Sequence, residues 1–213
     1  MPENKLPEEQ REQKYACGGC GVGVVDFTDD YPTFKPEMKE THTILIPDML
    51  PYHFEIIKYV LAKEGYKIEV LHNDSRAVID EGLKHVHNDT CFPALCVIGQ
   101  YIDALKSGKY DVDHTAVLIS QTGGGCRASN YLPLIRKALK AEFPQVPVLS
   151  INFSGLEKGN GIPMTVPLLL KAAYAIFYGD NIMTLYNQTL PYEKEKGAAE
   201  KARLACLQMV YDA

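Results

Sequence analysis

The chain has 213 residues, enough for one compact core or for one domain and part of another. Its formal net charge of −5 argues against general nucleic-acid binding, because a surface that binds phosphates needs excess positive charge. The polar start of the chain is unlike a secretory signal, so we expect a reducing, cytoplasmic compartment. The most apolar stretch, residues 162–179, contains Pro163, Pro167 and Lys171, which predicts a buried helix and no membrane span.

The first 40 residues show no clear periodicity and predict an N-terminal arm or linker. A regular pattern follows over residues 41–160. Short apolar runs there predict four buried strands, at residues 44–46, 67–71, 115–120 and 146–152. Because these runs alternate with helical patterns, the sequence predicts a Rossmann-like α/β fold, a parallel sheet flanked by helices.

The helices of this domain are predicted from apolar spacing. Phe54, Ile57 and Leu61 recur at helical spacing before Gly65, which predicts a helix that ends at this glycine. A second helix, "SRAVIDEGLKHV", has Ser75 as its expected N-cap. The next helix is predicted to bury one apolar stripe, formed by Ala94, Val97, Ile98, Tyr101, Ile102 and Leu105.

Residues 161–213 predict additional C-terminal helices, either the start of a further domain or a segment that packs against another domain or subunit. A long apolar helix is expected over 166–186. In the last helix, Leu204, Leu207 and Val210 form a stripe that needs a partner. The chain ends within this pattern, so we expect a piece of a longer protein or a contact with another subunit.

Two loops, "HNDTCFPALCVIGQ" and "SQTGGGCRASNY", each place a cysteine at the start of a predicted helix. In open parallel sheets, sites collect outside the carboxyl ends of the strands, where the second loop leaves its strand. Gly123, Gly124 and Gly125 allow the backbone to approach a ligand and to point N–H groups at an anion. A thiol at a helix start has its thiolate favoured, which is the form that binds metals or attacks carbon.

Four interpretations of these loops remain open. A phosphate cradle explains the glycines, although the lysine of a P-loop is absent. A catalytic cysteine would need a base, for which His85 and His87 are candidates. A metal or iron–sulfur site requires the loops of Cys91 and Cys126 to converge. Finally, both thiols can be buried and inert.

Polar neighbours of the cysteines are further candidates. Gln121 and Asn130 flank the glycine-rich loop, and Asn130, like Asp89 and Thr90, is also a plausible helix cap. Arg127, next to Cys126, can neutralise a negative cluster or a thioester substrate, or it can pair with a surface carboxylate.

The remaining cysteines give weaker signals. Cys96 lies five residues after Cys91, about 140° around a helix, so the two side chains diverge and Cys96 is expected to pack in the core. Cys206 is expected to pack within the last helix. Cys17 and Cys20 have the spacing of two metal ligands, but no second pair follows them. This pair is half of a site completed elsewhere, a redox dithiol or part of a flexible tail.

Three segments resemble the activase-related proteins of the 2-hydroxyacyl-CoA dehydratase system, in the region after their ATPase-like part. They are "EGLKHVHNDTCFPALCVIGQYIDALKSGKYD", "ISQTGGGCRASNYLPLIRKALK" and the set "GLEKGNG", "FYGD" and "PYEKEKG". The resemblance runs from about Met38 to about Gly197, and the two cysteine loops are its most specific part.

The resemblance implies Rossmann-like units and a 4Fe–4S cluster held by cysteines from neighbouring loops. By position, Cys91 and Cys126 match the loop cysteines that would be ligands. The glycines of the second loop, with Gln121, Arg127 and Asn130, would surround the cofactor. The chain departs from the pattern in two respects: a dehydratase-type site uses at least a third cysteine from a later part of the chain, and the ATPase module of the activases is absent.

The expected function is therefore iron–sulfur redox chemistry, either low-potential electron transfer or radical dehydration of an acyl-CoA. Another subunit or a missing C-terminal segment would complete the site. Two alternatives are a non-enzymatic partner or scaffold module and a metal-free domain that binds CoA or nucleotides.

Overall fold

A computed structural model of the chain describes residues 31–87, 89–121, 130–152, 162–163 and 165–212. Four strands form its sheet: β1 (Thr43–Pro47), β2 (Lys67–Leu71), β3 (Thr115–Gln121) and β4 (Val148–Asn152). They pair in the order β2-β1-β3-β4, and every pair is parallel. The predicted Rossmann-like parallel sheet flanked by helices is confirmed.

The helices lie between and after these strands. In chain order they are α1 (Met38–Thr41), α2 (Pro51–Lys63), α3 (Arg76–His85), α4 (Phe92–Lys106), α5 (Tyr131–Glu142), α6 (Val166–Thr189) and α7 (Ala198–Asp212). Single 3₁₀ turns occur at Val112–His114 and Leu190–Tyr192. The extra C-terminal helices are thus present as predicted. Within the described residues, no helix combines the length and the apolar character needed to cross a membrane.

Both faces of the sheet are covered, which explains why its strands are almost uniformly apolar. On one face, Leu45 and Val117 pack against the stripe of α4 and the inner side of α5. On the other face, Ile44, Ile46 and Leu118 pack against residues of α2 and α6. The six predicted stripe residues of α4 are all buried, as expected.

Helices α3 and α4 approach each other closely because each has a glycine at the contact. A Cβ added at Gly82 would overlap the carbonyl oxygen of Leu95, and one added at Gly99 would overlap that of Val78. Both glycines are buried within helices, where glycine is otherwise unfavourable by about 1 kcal/mol relative to alanine. The contact fixes the path of the chain between the two helices and so sets where α4 begins.

Two residues predicted to mark helix ends, Gly65 and Ser75, lie at the expected positions. Gly65 has a φ of 88° directly after α2, as predicted for a glycine that ends a helix. Ser75 occupies the N-cap position of α3, but its side chain makes no capping hydrogen bond.

Helices α6 and α7 pack on α2. A cluster of Ile56, Ala175, Ile182 and Leu207 forms this contact, with Val210 packed at its side. The apolar stripe of the last helix therefore packs mainly against other helices of the same chain. Leu204 differs, since it is 53% exposed.

Part of the predicted N-terminal arm also contacts the core. The hydroxyl group of Tyr31 donates a hydrogen bond to the carbonyl oxygen of Val146, at 3.0 Å. Burial raises the pKa of this hydroxyl well above its usual range. Phe34 packs against the cluster between the sheet and α2.

Candidate functional site

Cys91 lies at the start of α4, as the sequence predicts. It is the N-cap residue, with a φ of −57° and a ψ of 138°, and its carbonyl oxygen accepts the first hydrogen bonds of the helix. Asp89 and Thr90 precede this position, so the prediction that they cap the helix is wrong. Because the chain turns into α4 at Cys91, its half-buried thiol lies beside the N-terminal end of this helix.

The thiol also contacts the start of α5. Its Sγ atom lies 3.2 Å from the hydroxyl oxygen of Tyr131, the first residue of α5. Either atom can donate this hydrogen bond. The contact joins residues 40 positions apart and brings together the two helix starts that the sequence singles out.

A pocket of about 420 Å³ lies between these two helix starts. This volume is within the range of small-molecule and cofactor sites. On one side it is lined by the residues from Asp89 to Cys91 and by Ala94, and on the other by Asn130, Tyr131, Pro133 and Leu134. Among the described residues, Cys91 of the first loop and Asn130 and Tyr131 at the end of the second thus line the same cavity.

The other predicted site residues are placed as follows. Gln121 is the last residue of β3, at the carboxyl edge of the sheet. Asn130 is exposed at the N-cap of α5 and lines the pocket, but its side chain makes no capping hydrogen bond. The remaining predictions, Gly123, Gly124, Gly125, Cys126 and Arg127, lie outside the described residues.

Among the other cysteines, Cys96 is half-buried in α4, and burial raises the pKa of its thiol. This agrees with a packing role, since a raised pKa disfavours the reactive thiolate. Cys206 packs beside the cluster that joins α2, α6 and α7. Cys17 and Cys20 lie outside the described residues.

The two histidines considered as bases differ in position. His87 is exposed, and its Nδ1 lies 3.2 Å from a carboxylate oxygen of Asp89, a pocket residue. His85 instead lies beside Glu142, with its Nε2 2.8 Å from Oε1 but without hydrogen-bonding geometry. Because Glu142 ends α5 and Tyr131 begins it, His85 and Cys91 contact opposite ends of this helix.

His85 belongs to a charged cluster that sequence reasoning missed. Glu81, His85 and Glu142 place three possible metal-ligand atoms within 4.8 Å of one another. The ammonium group of Lys106, however, lies 2.8 Å from Glu81 and 2.6 Å from Glu142. This lysine already balances the carboxylates that would attract a cation, so the cluster acts as a salt-bridge network between α3, α4 and α5.

This network predicts an acid-sensitive contribution to stability. Hydrogen bonds from Lys106 and Lys84 lower the pKa of Glu81 below its ordinary value of 4.5. The stabilisation is therefore complete above pH 4.5 and disappears as the pH falls through the lowered pKa. We expect Lys106→Met to reduce the free energy of unfolding by about 0.5 kcal/mol at neutral pH, a modest figure because the ion pairs are partly solvated.

Urea denaturation at neutral pH and between about pH 3 and 5 measures this effect, since the linkage operates in that window. The difference between wild type and Lys106→Met should shrink as the pH falls. Lys137→Met, at an exposed position of α5, is the matched control. Its free energy of unfolding should differ from that of wild type by the same amount at every pH. A constant deficit of Lys106→Met across the whole range would contradict the role of Glu81.

Compared with known proteins, the chain matches no protein-family model, no curated protein and no solved structure. Its function is therefore inferred from the residues themselves and from the geometry at the carboxyl edge of the sheet.

Proposed function

We propose that this chain is an iron–sulfur redox protein of the 2-hydroxyacyl-CoA dehydratase and activase group. Its cluster, of the 4Fe–4S type, would be bound by Cys91 and Cys126, and the reaction would be low-potential electron transfer or radical dehydration of an acyl-CoA. A reducing, cytoplasmic compartment suits such a cluster.

The observation that carries this proposal is the position of the Cys91 thiol. It lies at the start of α4 and within 3.2 Å of the first residue of α5, directly after the loop that contains Cys126. Cys126 lies four positions before Asn130 in the sequence, and four positions span at most about 14 Å. The family resemblance identifies Cys126 as the second ligand, and its proximity in sequence to Asn130, a pocket residue, is compatible with that role.

The fit of a cluster to this pocket is incomplete within the described residues. They supply one thiol there, from Cys91, whereas a 4Fe–4S cluster needs about four ligands. The proposal consequently requires Cys126 and further ligands from another subunit or another segment. When bound, the cluster would supply a one-electron carrier, and the start of α4 would contribute N–H groups near its sulfur atoms.

A contact with a partner, on the face of the sheet opposite to the cysteine pocket, is supported by the surface of α6. This helix exposes many large apolar side chains: Val166, Leu169, Leu170, Tyr174, Phe177, Tyr178 and Leu185. An apolar surface of this extent is typical of contact sites. The same observation favours the second candidate function, a partner or scaffold module without chemistry of its own.

The test is an assay of iron and acid-labile sulfide in protein purified and reconstituted without oxygen. We expect the wild-type chain to bind both in equal amounts, with the broad visible absorption of a cluster. Cys91→Ser and Cys126→Ser should each lower the iron content at least tenfold, because loss of a ligand leaves an incomplete site.

Cys96→Ser is the matched control, since this cysteine lies in the helix that Cys91 begins, and burial raises the pKa of its thiol. It should retain iron and sulfide at the wild-type level. If neither the chain alone nor the chain copurified with its native partners holds iron, the cluster proposal is wrong, and the exposed surface of α6 makes the partner module the better explanation.

A further inference from the structure

A second cavity, separate from the cysteine pocket, lies on the other face of the sheet. It has a volume of about 560 Å³ and is bounded by α2, α6 and the last residues of β1 and β3. Aliphatic and aromatic side chains form most of its described lining, among them Ile46, Phe54, Ile57, Leu118, Ile162 and Leu168. The polar side chains of that lining are few, namely His53, Ser120 and Asp180.

The location of this cavity favours a binding role. Strands β1 and β3 are neighbours, and the helices that follow them, α2 and α5, cover opposite faces of the sheet. The crevice outside the carboxyl ends of two such strands is where ligands bind in open parallel sheets. The cavity therefore occupies a position that the topology itself creates.

His53 and Asp180 form a hydrogen-bonded pair in the wall of this cavity. Their Nε2 and Oδ1 atoms are 2.9 Å apart, although the residues are separated by 127 positions. Because a carboxylate accepts, Nε2 of His53 carries the proton. The side chain of His53 is only 6% exposed, whereas that of Asp180 is 59% exposed.

Two further observations concern the imidazole ring of His53: one of its nitrogen atoms has no partner among the described residues, and a glycine lies against it. Within the described residues, Nδ1 of His53 is buried and has no hydrogen-bond partner, which is costly for a polar group. Gly179 lies directly against the ring, and a Cβ at that position would come within 2.5 Å of its Cδ2. A glycine in the middle of α6 is unfavourable for the helix, yet it allows the imidazole to sit beside Asp180.

We propose that this cavity binds a small apolar molecule that carries a hydrogen-bond donor, such as a hydroxyl group. The apolar walls would bury the body of the ligand. Asp180 would accept its hydrogen bond, since His53 uses one carboxylate oxygen and a carboxylate has further acceptor sites. The carboxylate of Asp180 would disfavour anionic ligands, and the apolar walls would add the cost of burying a second charge. This inference is independent of the proposed cluster.

The test compares three naphthalene derivatives by fluorescence titration of the full chain. They share one apolar body and differ in the polar group: 2-naphthol donates a hydrogen bond, 2-methoxynaphthalene does not, and 2-naphthoate is an anion. We expect 2-naphthol to bind at least tenfold more tightly than 2-methoxynaphthalene, and 2-naphthoate to bind most weakly.

Two variants separate the contributions. Asp180→Asn should reduce the preference for 2-naphthol and improve the binding of 2-naphthoate, because the charge is removed while the size is kept. Ala172→Phe would place an aromatic ring in the cavity from α6, and it should lower the affinity for all three ligands at least tenfold. Asp80→Asn, at an exposed position on α3, is the matched control and should leave all three affinities unchanged.

Two results would overturn the proposal. Failure of the wild-type chain to bind any of the three compounds at millimolar concentration would exclude a ligand site of this kind. Equal affinities for 2-naphthol and 2-methoxynaphthalene, or an unchanged preference in Asp180→Asn, would exclude recognition of a donor by Asp180. Circular dichroism of each variant verifies that the helices are retained.

Discussion

Gly99→Ala is expected to lower the free energy of unfolding by about 3 kcal/mol, an overpacking effect at the upper end of the usual range. The added Cβ would overlap the carbonyl group of Val78 in α3. These are backbone atoms, so the overlap is relieved only if α3 and α4 move apart. The better helix propensity of alanine offsets only about 1 kcal/mol of this cost. Urea denaturation followed by circular dichroism measures the loss.

Gly108→Ala is the control, because it isolates the conformational cost of a glycine. Gly108 has a φ of 73°, and no atom lies within 4 Å of an added Cβ. Its replacement should cost about 1 kcal/mol, the usual penalty for a left-handed conformation. If both variants lost the same stability, the close approach of α3 and α4 would not be the reason for glycine at position 99.

The contact at Gly99 also matters for the candidate site. It holds α3 against α4, and the chain between these helices leads into Cys91 at the start of α4. A separation of the helices would shift this start relative to Tyr131 of α5, on which the 3.2 Å contact of the thiol depends. Stability and the geometry of the cysteine pocket are thus coupled through one glycine.

The sheet was predictable because its strands are buried on both faces. Such strands consist of short apolar runs, so β1 and β3 could be located within two residues of their observed ends. Gly65 was equally informative, since a glycine after an apolar helical pattern is the usual helix end. These signals are local and need no knowledge of tertiary contacts.

The starts of the helices were less predictable. Asp89 and Thr90 have the side chains of typical N-caps, yet Cys91 occupies that position. Capping propensities are worth about 1 kcal/mol, and the path of the chain imposed by the contact of α3 with α4 outweighs them here. Ser75 and Asn130 lie at N-cap positions without making the bond that their type predicts.

The polar contacts at the sites could not be predicted from local pattern at all. The sequence identifies Cys91 from its loop, but nothing in the local sequence distinguishes its partner Tyr131 from any other first residue of a helix. His53 and Asp180 are 127 positions apart, and only the packing of α6 on α2 brings them together. Gly179 is the one local signal of that contact, because a buried glycine in a long helix indicates a close neighbour.

The second large effect is expected at Leu207, which anchors α7. Its side chain is 4% exposed and packs with Ile56, Ala175 and Ile182. Leu207→Glu would lose this apolar contact and bury a charge without a partner, at a cost of about 3 kcal/mol or more. Because α7 is the last helix and rests on this cluster, we expect it to detach before the sheet unfolds. Amide hydrogen exchange should show lost protection in α7 and retained protection in β1 and β3.

Leu204→Glu is the matched control, since Leu204 lies on the same helix and is 53% exposed. This change should alter the free energy of unfolding by less than about 0.5 kcal/mol, as is usual for surface positions. The two leucines belong to one stripe in the sequence, but only Leu207 faces the chain's own core. Equal sensitivity of both positions would contradict the intramolecular packing of α7 and would indicate that the whole stripe contacts a separate partner.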